Sequence, residues 1–124
     1  MEVSALTLAF IGDAVYSLKV REYLCSFPDR PLALLTKETI KYVSAKAQAK
    51  VMKRLLTDNY LTAEELAIYH RGRNSHSHST AKHTDPITYH VATGLEAVFG
   101  YLYLNHQEER LTQIWDYIKT ITEE

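Results

Sequence analysis

The sequence predicts an all-α fold in a single domain that spans residues 1–124. Apolar residues recur at helical spacing in every long segment, and capping patterns precede two of these segments. No segment alternates strictly enough between apolar and polar residues to form a β-strand. A chain of 124 residues can bury one modest core but is too short for a second domain. We therefore expect one helical bundle.

The first half of the chain predicts two long helices. The first covers Met1–Cys25 and ends at the Pro-containing segment Phe27–Pro31. A short turn over Pro31–Leu35 then leads into a second helix over Thr36–Thr57. The apolar positions that support this second helix are Ile40, Val43, Ala47, Val51 and Leu55.

A capping box predicts the start of the third helix. Thr62 is followed three residues later by Glu65, and the helix is expected to run to about Arg73. The next segment, Asn74–Thr84, is polar and without apolar period, so we expect a loop.

The last two helices also have start signals or an apolar face. Asp85 followed by Pro86 is typical of an N-cap with Pro at the first helical position, and this helix is expected to reach about Asn105. The final helix, about Gln107–Thr122, carries its apolar residues on one side.

Composition favours a soluble, cytoplasmic protein. The longest nearly uncharged run, Val91–Leu104, has 14 residues and is too short to cross a bilayer. Cys25 is the one cysteine and cannot form an internal disulfide, which fits a reducing compartment. The N-terminus has no signal-peptide pattern.

Charge is distributed unevenly along the chain. Residues 37–83 contain nine Lys and Arg against four Asp and Glu, whereas the remainder contains five against eleven. A basic middle segment in a protein of net charge −1 suggests a confined surface for a polyanion. Chance patterning of a solvated surface explains the charge alone equally well.

Two acids occupy positions where acids are unexpected. Asp13 falls in a helix that is apolar nearly all round, next to Gly12, and Glu96 is the one charge between Val91 and Leu104. A buried acid is costly unless it is paired or binds a metal, and the adjacent glycines allow helices to approach closely. Two converging carboxylates would suit Mg²⁺. Neutralisation of each acid by Arg or by backbone donors is the structural alternative.

The residues around both acids resemble those of the ribonuclease III family. The segment AFIGDAVY at residues 9–16 resembles the family's signature helix, and LEAVFGYLYL at residues 95–104 resembles its second acidic helix. The likeness is stronger to the short bacterial form, Mini-ribonuclease III, which has a catalytic domain without a double-stranded-RNA-binding domain. Three further blocks fit that form: VSAKAQAK at 43–50, RGRN at 71–74, and Thr84-Asp85.

This resemblance implies a homodimeric, all-helical endoribonuclease for double-stranded RNA. Asp13 matches the family's catalytic aspartate and Glu96 its metal-binding glutamate, so both are expected to hold Mg²⁺ and to act in catalysis. The expected substrate is the precursor of large-subunit (23S) ribosomal RNA, cut to leave 5′-phosphate and 3′-hydroxyl ends. A ribosomal protein that shapes the substrate is a further expected partner.

Two family acids are missing, which leaves a second functional class open. Ala9 and Thr93 stand where longer ribonuclease III enzymes carry additional acids, a trait shared with the Mini form. The number of metal ions per site is therefore open. A catalytically inactive, ribosome-associated RNA-binding protein is the alternative, although retention of Asp13 and Glu96 argues against it.

The basic middle segment supplies the expected RNA-binding residues. Four of them lie within about 100° of one helix face, and the rest lie at the start of the polar loop or within it. These residues are Lys46, Lys50, Lys53, Arg54, Arg71, Arg73, Asn74 and Lys82. The histidines of the loop, His76, His78 and His83, could suggest zinc, but without nearby Cys we favour solvent exposure.

Overall fold

The computed structural model describes residues 3–75 and 85–124, and these residues form six helices and no strand. The all-α prediction is confirmed. The helices are α1 (Ala5–Cys25), α2 (Leu32–Val43), α3 (Ala45–Thr57), α4 (Ala63–Asn74), α5 (Pro86–Leu104) and α6 (Glu108–Thr122). Within the described ranges, no helix is both long enough and apolar enough to cross a membrane.

Helix α5 lies at the centre of the bundle. It packs against α1, α3, α4 and α6. Leu95, Val98 and Phe99 are completely buried, as the near absence of charge in this segment requires. Both predicted caps are present: Asp85 accepts from the amide of Thr88 at 3.0 Å to begin α5, and a reciprocal capping box begins α4.

The predicted helix over Thr36–Thr57 is wrong, because the chain forms two helices there. Ser44 is extended (φ −61°, ψ 151°) and its side chain accepts a hydrogen bond from the amide of Ala47 at 3.1 Å. Ser44 therefore ends α2 and caps α3. Consequently Ile40, which one continuous helix would have placed with Val51 and Leu55, is 59% exposed. The predicted turn at Pro31–Leu35 forms the first turn of α2.

Helices α1 and α5 touch backbone to backbone. A Cβ atom added to Gly12 would lie 1.7 Å from the carbonyl oxygen of Glu96, and one added to Gly100 would lie 1.9 Å from the carbonyl oxygen of Leu8. The glycines thus allow the close approach that the sequence predicted. Gly94 instead faces α4, where an added Cβ would lie 2.6 Å from the ring of Tyr69.

The substitution Gly12→Ala should destabilise the protein strongly. Alanine normally favours a helix over glycine by about 1 kcal/mol, but here its methyl group would overlap a backbone oxygen that cannot rotate away. We expect a loss of at least about 3 kcal/mol in the free energy of unfolding, at the upper end for overpacked cores. Urea denaturation measures it. Glu22→Ala, at an exposed position of α1, is the matched control, and unchanged stability of Gly12→Ala would contradict the prediction.

Candidate active site

Asp13 and Glu96 come together at the contact between α1 and α5. Gly12 lies against the backbone of Glu96, so the next residue on α1 is placed beside that glutamate. The negative charge of Asp13 acts on Glu96 at this contact. The two acids therefore form a pair of neighbouring carboxyl groups, one from each helix.

Glu96 bears most of the electrostatic cost of this pair. Burial, followed by the charge of Asp13, raises the pKa of Glu96 from 4.5 to about 8. A hydrogen bond from the amide of Gln48 acts in the opposite direction and stabilises the ionised carboxylate. At neutral pH the site thus holds a proton that a divalent cation would displace.

The expectation that Asp13 is buried is wrong, because its side chain is exposed in the chain. Helix α1 has two apolar faces, but only one of them packs inside the bundle. The other face leaves Phe10 80% exposed and Leu18 59% exposed, and Asp13 is exposed as well. Its carboxylate can consequently remain hydrated on one side while it contacts Glu96 on the other.

The donor chemistry of the pair fits a hard divalent cation. Among residues 3–75 and 85–124, no ion pair involves Asp13 or Glu96. Within the same ranges, no third His, Cys, Asp or Glu completes a ligand cluster. Two carboxylates with the remaining positions left to water suit Mg²⁺, which keeps several of its waters in protein sites.

The positions of the missing family acids supply no replacement ligand. Ala9 is buried and carries no donor atom. Thr93 is buried as well, and its hydroxyl donates to the carbonyl oxygen of Tyr89 at 2.9 Å. Any cation at this site would therefore depend on Asp13 and Glu96 for its protein carboxylates.

Gln48 is a site residue to which the sequence analysis assigned no role. Its side chain is on the buried face of α3 and only 2% exposed. Its amide nitrogen donates to Glu96 Oε2 at 3.2 Å and to the carbonyl oxygen of Val43 at 3.1 Å. The signal was present in the sequence: Gln48 precedes Val51, Met52 and Leu55 at the spacing of one apolar helix face.

Tyr16 is buried within reach of the negative charge of Glu96. It is 1% exposed and its ring lies 4.8 Å from that of Phe99. Its hydroxyl has no hydrogen-bond partner among the described residues. Burial and the charge of Glu96 raise the pKa of Tyr16, which keeps the hydroxyl protonated. Tyr16 is thus a neutral, buried neighbour of the acid pair.

The expected RNA-binding residues fall into two groups beside the pair. Lys46, Lys50 and Lys53 are exposed on α3, the helix that also carries Gln48. Arg54 differs from them, because its guanidinium group already pairs with Glu124 at 2.8 Å.

The second group lies at the end of α4. Arg71, Arg73 and Asn74 are exposed there, and Gly72 packs against Ala97, the neighbour of Glu96 in the chain. The remaining expected contact, Lys82, and the loop histidines lie in residues 76–84, outside the described residues.

Comparison with known proteins identifies the family. The Ribonuclease III domain model matches residues 6–107. Mini-ribonuclease 3 of Thermoanaerobacter sp. is 46% identical over all of this chain and 86% of its own length. Mini-ribonuclease 3 of Enterococcus faecalis is 45% identical over 91% of this chain and 86% of its own length.

A solved structure agrees with these sequence relatives. The crystal structure of a protein from Fusobacterium nucleatum superimposes with a TM-score of 0.84 at 33% identity, covering 93% of this chain and 92% of that one. The region that the family model matches, residues 6–107, contains the signature helix and both acids. The chain therefore belongs to the ribonuclease III family, in its Mini-ribonuclease III group, and is an endoribonuclease.

Proposed function

We propose that the protein cleaves double-stranded RNA with Mg²⁺ held by Asp13 and Glu96. The observation that carries this proposal is the backbone contact of Gly12 with Glu96, which brings Asp13 and Glu96 together, with no ion pair to either acid among the described residues. Enzymes of the ribonuclease III family are generally metal-dependent. Bound between these carboxylates, Mg²⁺ supplies the activated water and the positive charge that phosphodiester hydrolysis requires.

The protein residues divide the remaining work. Asp13, which is exposed, would hold the cation on the side of the site that is open to the RNA. Glu96 is held in place by its burial and by the hydrogen bond that it accepts from Gln48. Tyr16, which is buried, would leave the inner side of the pair without a charged neighbour. Cleavage with this arrangement leaves 5′-phosphate and 3′-hydroxyl ends, as the family resemblance implies.

The exposed lysines of α3 and the end of α4 would hold the duplex. A-form RNA hides its base edges in a deep major groove, so contacts to phosphates and 2′-hydroxyls suit recognition by shape. Lys46, Lys50 and Lys53 form one cationic row, with Arg71 and Arg73 at a second position. Arg54 belongs to the same helix, but its ion pair with Glu124 partly neutralises its charge, so we propose a smaller contribution from it than from the three lysines.

The proposed substrate is the precursor of 23S ribosomal RNA, in the cytoplasm. This part of the proposal rests on the resemblance to Mini-ribonuclease III and on relatives that bear the name Mini-ribonuclease 3. A single domain offers few phosphate contacts. We therefore include a ribosomal protein that shapes the RNA as part of the proposed function.

A homodimer would bring one acid pair to each RNA strand. Helix α1 exposes an apolar stripe at four-residue spacing, which is the spacing of one helix face. The stripe consists of Leu6, Phe10, Ala14 and Leu18. A second copy of the same face, related by a twofold axis, would bury the stripe in an isologous contact.

Asp13→Asn and Glu96→Gln should each abolish most cleavage. Each change keeps the shape of the side chain and removes a negative charge that would hold the cation. We expect the rate of cleavage of a duplex RNA in Mg²⁺ to fall at least about a hundredfold, the scale for loss of one charge-stabilising group. Glu22→Gln, an acid-to-amide change at an exposed position of the same helix, should leave the rate unchanged. Full activity of Asp13→Asn would refute the proposed site.

Replacing Lys46 and Lys50 together with Gln should weaken RNA binding and flatten its dependence on salt. Each lost phosphate contact should reduce the slope of log K against log salt by about one. The double variant and its parent are compared in a Glu96→Gln background, which should not cleave the RNA. Fluorescence anisotropy measures the binding of each protein to duplex RNA from 50 to 200 mM salt. Arg54→Gln is the comparison variant and should change the slope less than the loss of either lysine, because Glu124 already partly neutralises Arg54. An unchanged slope in the double variant would place the RNA on another surface.

Phe10→Glu should convert a dimer into a monomer. Phe10 is 80% exposed in the chain, so a charge is tolerated in the monomer but would be buried without a partner in the proposed interface. Sedimentation equilibrium should give twice the chain mass for the native protein and the chain mass for the variant. Ile87→Glu, a similar change at a residue that is 76% exposed on α5, should remain dimeric. A dimer that survives Phe10→Glu would rule out this face.

A further inference from the structure

The side chain of Gln48 links the break between α2 and α3 to the acid pair. Val43 is the last residue of α2, and its carbonyl oxygen is one of those that a helix end leaves without an intrahelical partner. Gln48 donates one amide hydrogen to this oxygen at 3.1 Å. The other is directed at Glu96 Oε2, at 3.2 Å. The helix break therefore sets the orientation of the amide group that contacts Glu96.

The buried amide of Gln48 carries a cost to stability. Gln48 is 2% exposed, and its oxygen Oε1 has no hydrogen-bond partner among the described residues. A buried polar atom without a partner is destabilising, whereas an apolar side chain of similar shape avoids that cost. Its neighbours on the face, Val51 and Met52, are apolar. The hydrogen bond to Glu96 is thus the feature that distinguishes Gln48 from a core residue.

We propose that Gln48 is a positioning residue of the metal site. By holding Oε2 of Glu96, it fixes the glutamate carboxylate beside Asp13, so a divalent cation meets two carboxylates that are already in place. The inference rests on the proposed function, in which these two acids hold the cation. Partners that orient a metal ligand from outside the coordination sphere typically contribute a factor of 10–100 to metal affinity.

The test uses Gln48→Met, which keeps the length of the side chain and removes its hydrogen bonds. Mn²⁺ binding to the full chain without RNA is measured by counting free Mn²⁺ with electron paramagnetic resonance. We expect the dissociation constant to rise about tenfold, while the metal-free protein loses some stability because the carbonyl oxygen of Val43 loses its donor. In cleavage assays the Mg²⁺ concentration for half-maximal rate should rise similarly, while KM for RNA at saturating Mg²⁺ should not change. Native Mn²⁺ affinity in Gln48→Met would overturn the inference.

Two further variants separate positioning from a general effect of packing in α3. Val51→Ala removes buried volume from the same helix face and keeps the amide that donates to Glu96, so it should lower the stability of the protein and leave its Mn²⁺ affinity unchanged. Gln48→Met introduced into Glu96→Gln should cause no additional loss of Mn²⁺ affinity, because the bond it removes no longer holds a carboxylate. Loss of affinity in Val51→Ala, or an additive loss in the double variant, would count against the inference.

Failure of the inference and failure of the proposed function give different results. Asp13→Asn and Glu96→Gln are measured in the same Mn²⁺ titration. If both bind Mn²⁺ like the native protein, the proposed metal site itself is wrong. If both lose binding while Gln48→Met retains it, only the role of Gln48 is wrong.

Discussion

The contact between the backbones of α1 and α5 is the constraint on which the site depends. A Cβ atom at Gly12 or at Gly100 would overlap a carbonyl oxygen of the other helix and push the two helices apart. Glycine at both positions allows the backbones to touch. Since Asp13 follows Gly12 and Glu96 supplies one of those oxygens, the closeness of the helices and the closeness of the acids have one cause. The backbone contact therefore sets where the two side chains start, and their rotamers then set the distance between the carboxyl groups.

Helix α3 contributes to both the acid pair and the exposed basic surface. It begins at Ser44, where the chain leaves α2, and its first turns place Gln48 inward against Glu96 while Lys46 and Lys50 remain exposed. One short helix thus presents an amide to the acids and cations to the solvent. Because both features lie on the same rigid element, a duplex held by the lysines would have a fixed orientation relative to the acid pair.

The parts of the structure that local chemistry decides could be predicted from the sequence. The caps at Thr62 and Asp85 and the close approach at Gly12 each follow from residues that are neighbours in the chain or from one missing side chain. Features decided by distant partners could not. The pairing of Arg54 depends on Glu124 at the far end of the chain, and the exposure of Asp13 depends on which face of α1 the bundle covers.

The raised pKa of Glu96 connects the stability of the protein to its proposed chemistry. The folded chain holds this proton up to about pH 8, whereas the unfolded chain releases it near 4.5. Between these values the folded state binds more protons, so its stability falls as the pH rises through this window and the carboxylate is forced to ionise. A divalent cation would reverse that loss by taking the place of the proton. With Ala9 and Thr93 supplying no ligand, the two carboxylates would leave most of the coordination sphere of the proposed cation to water and RNA phosphate. The cost of ionising Glu96 in the metal-free protein thus accompanies a proposed cation site that stays open to its substrate.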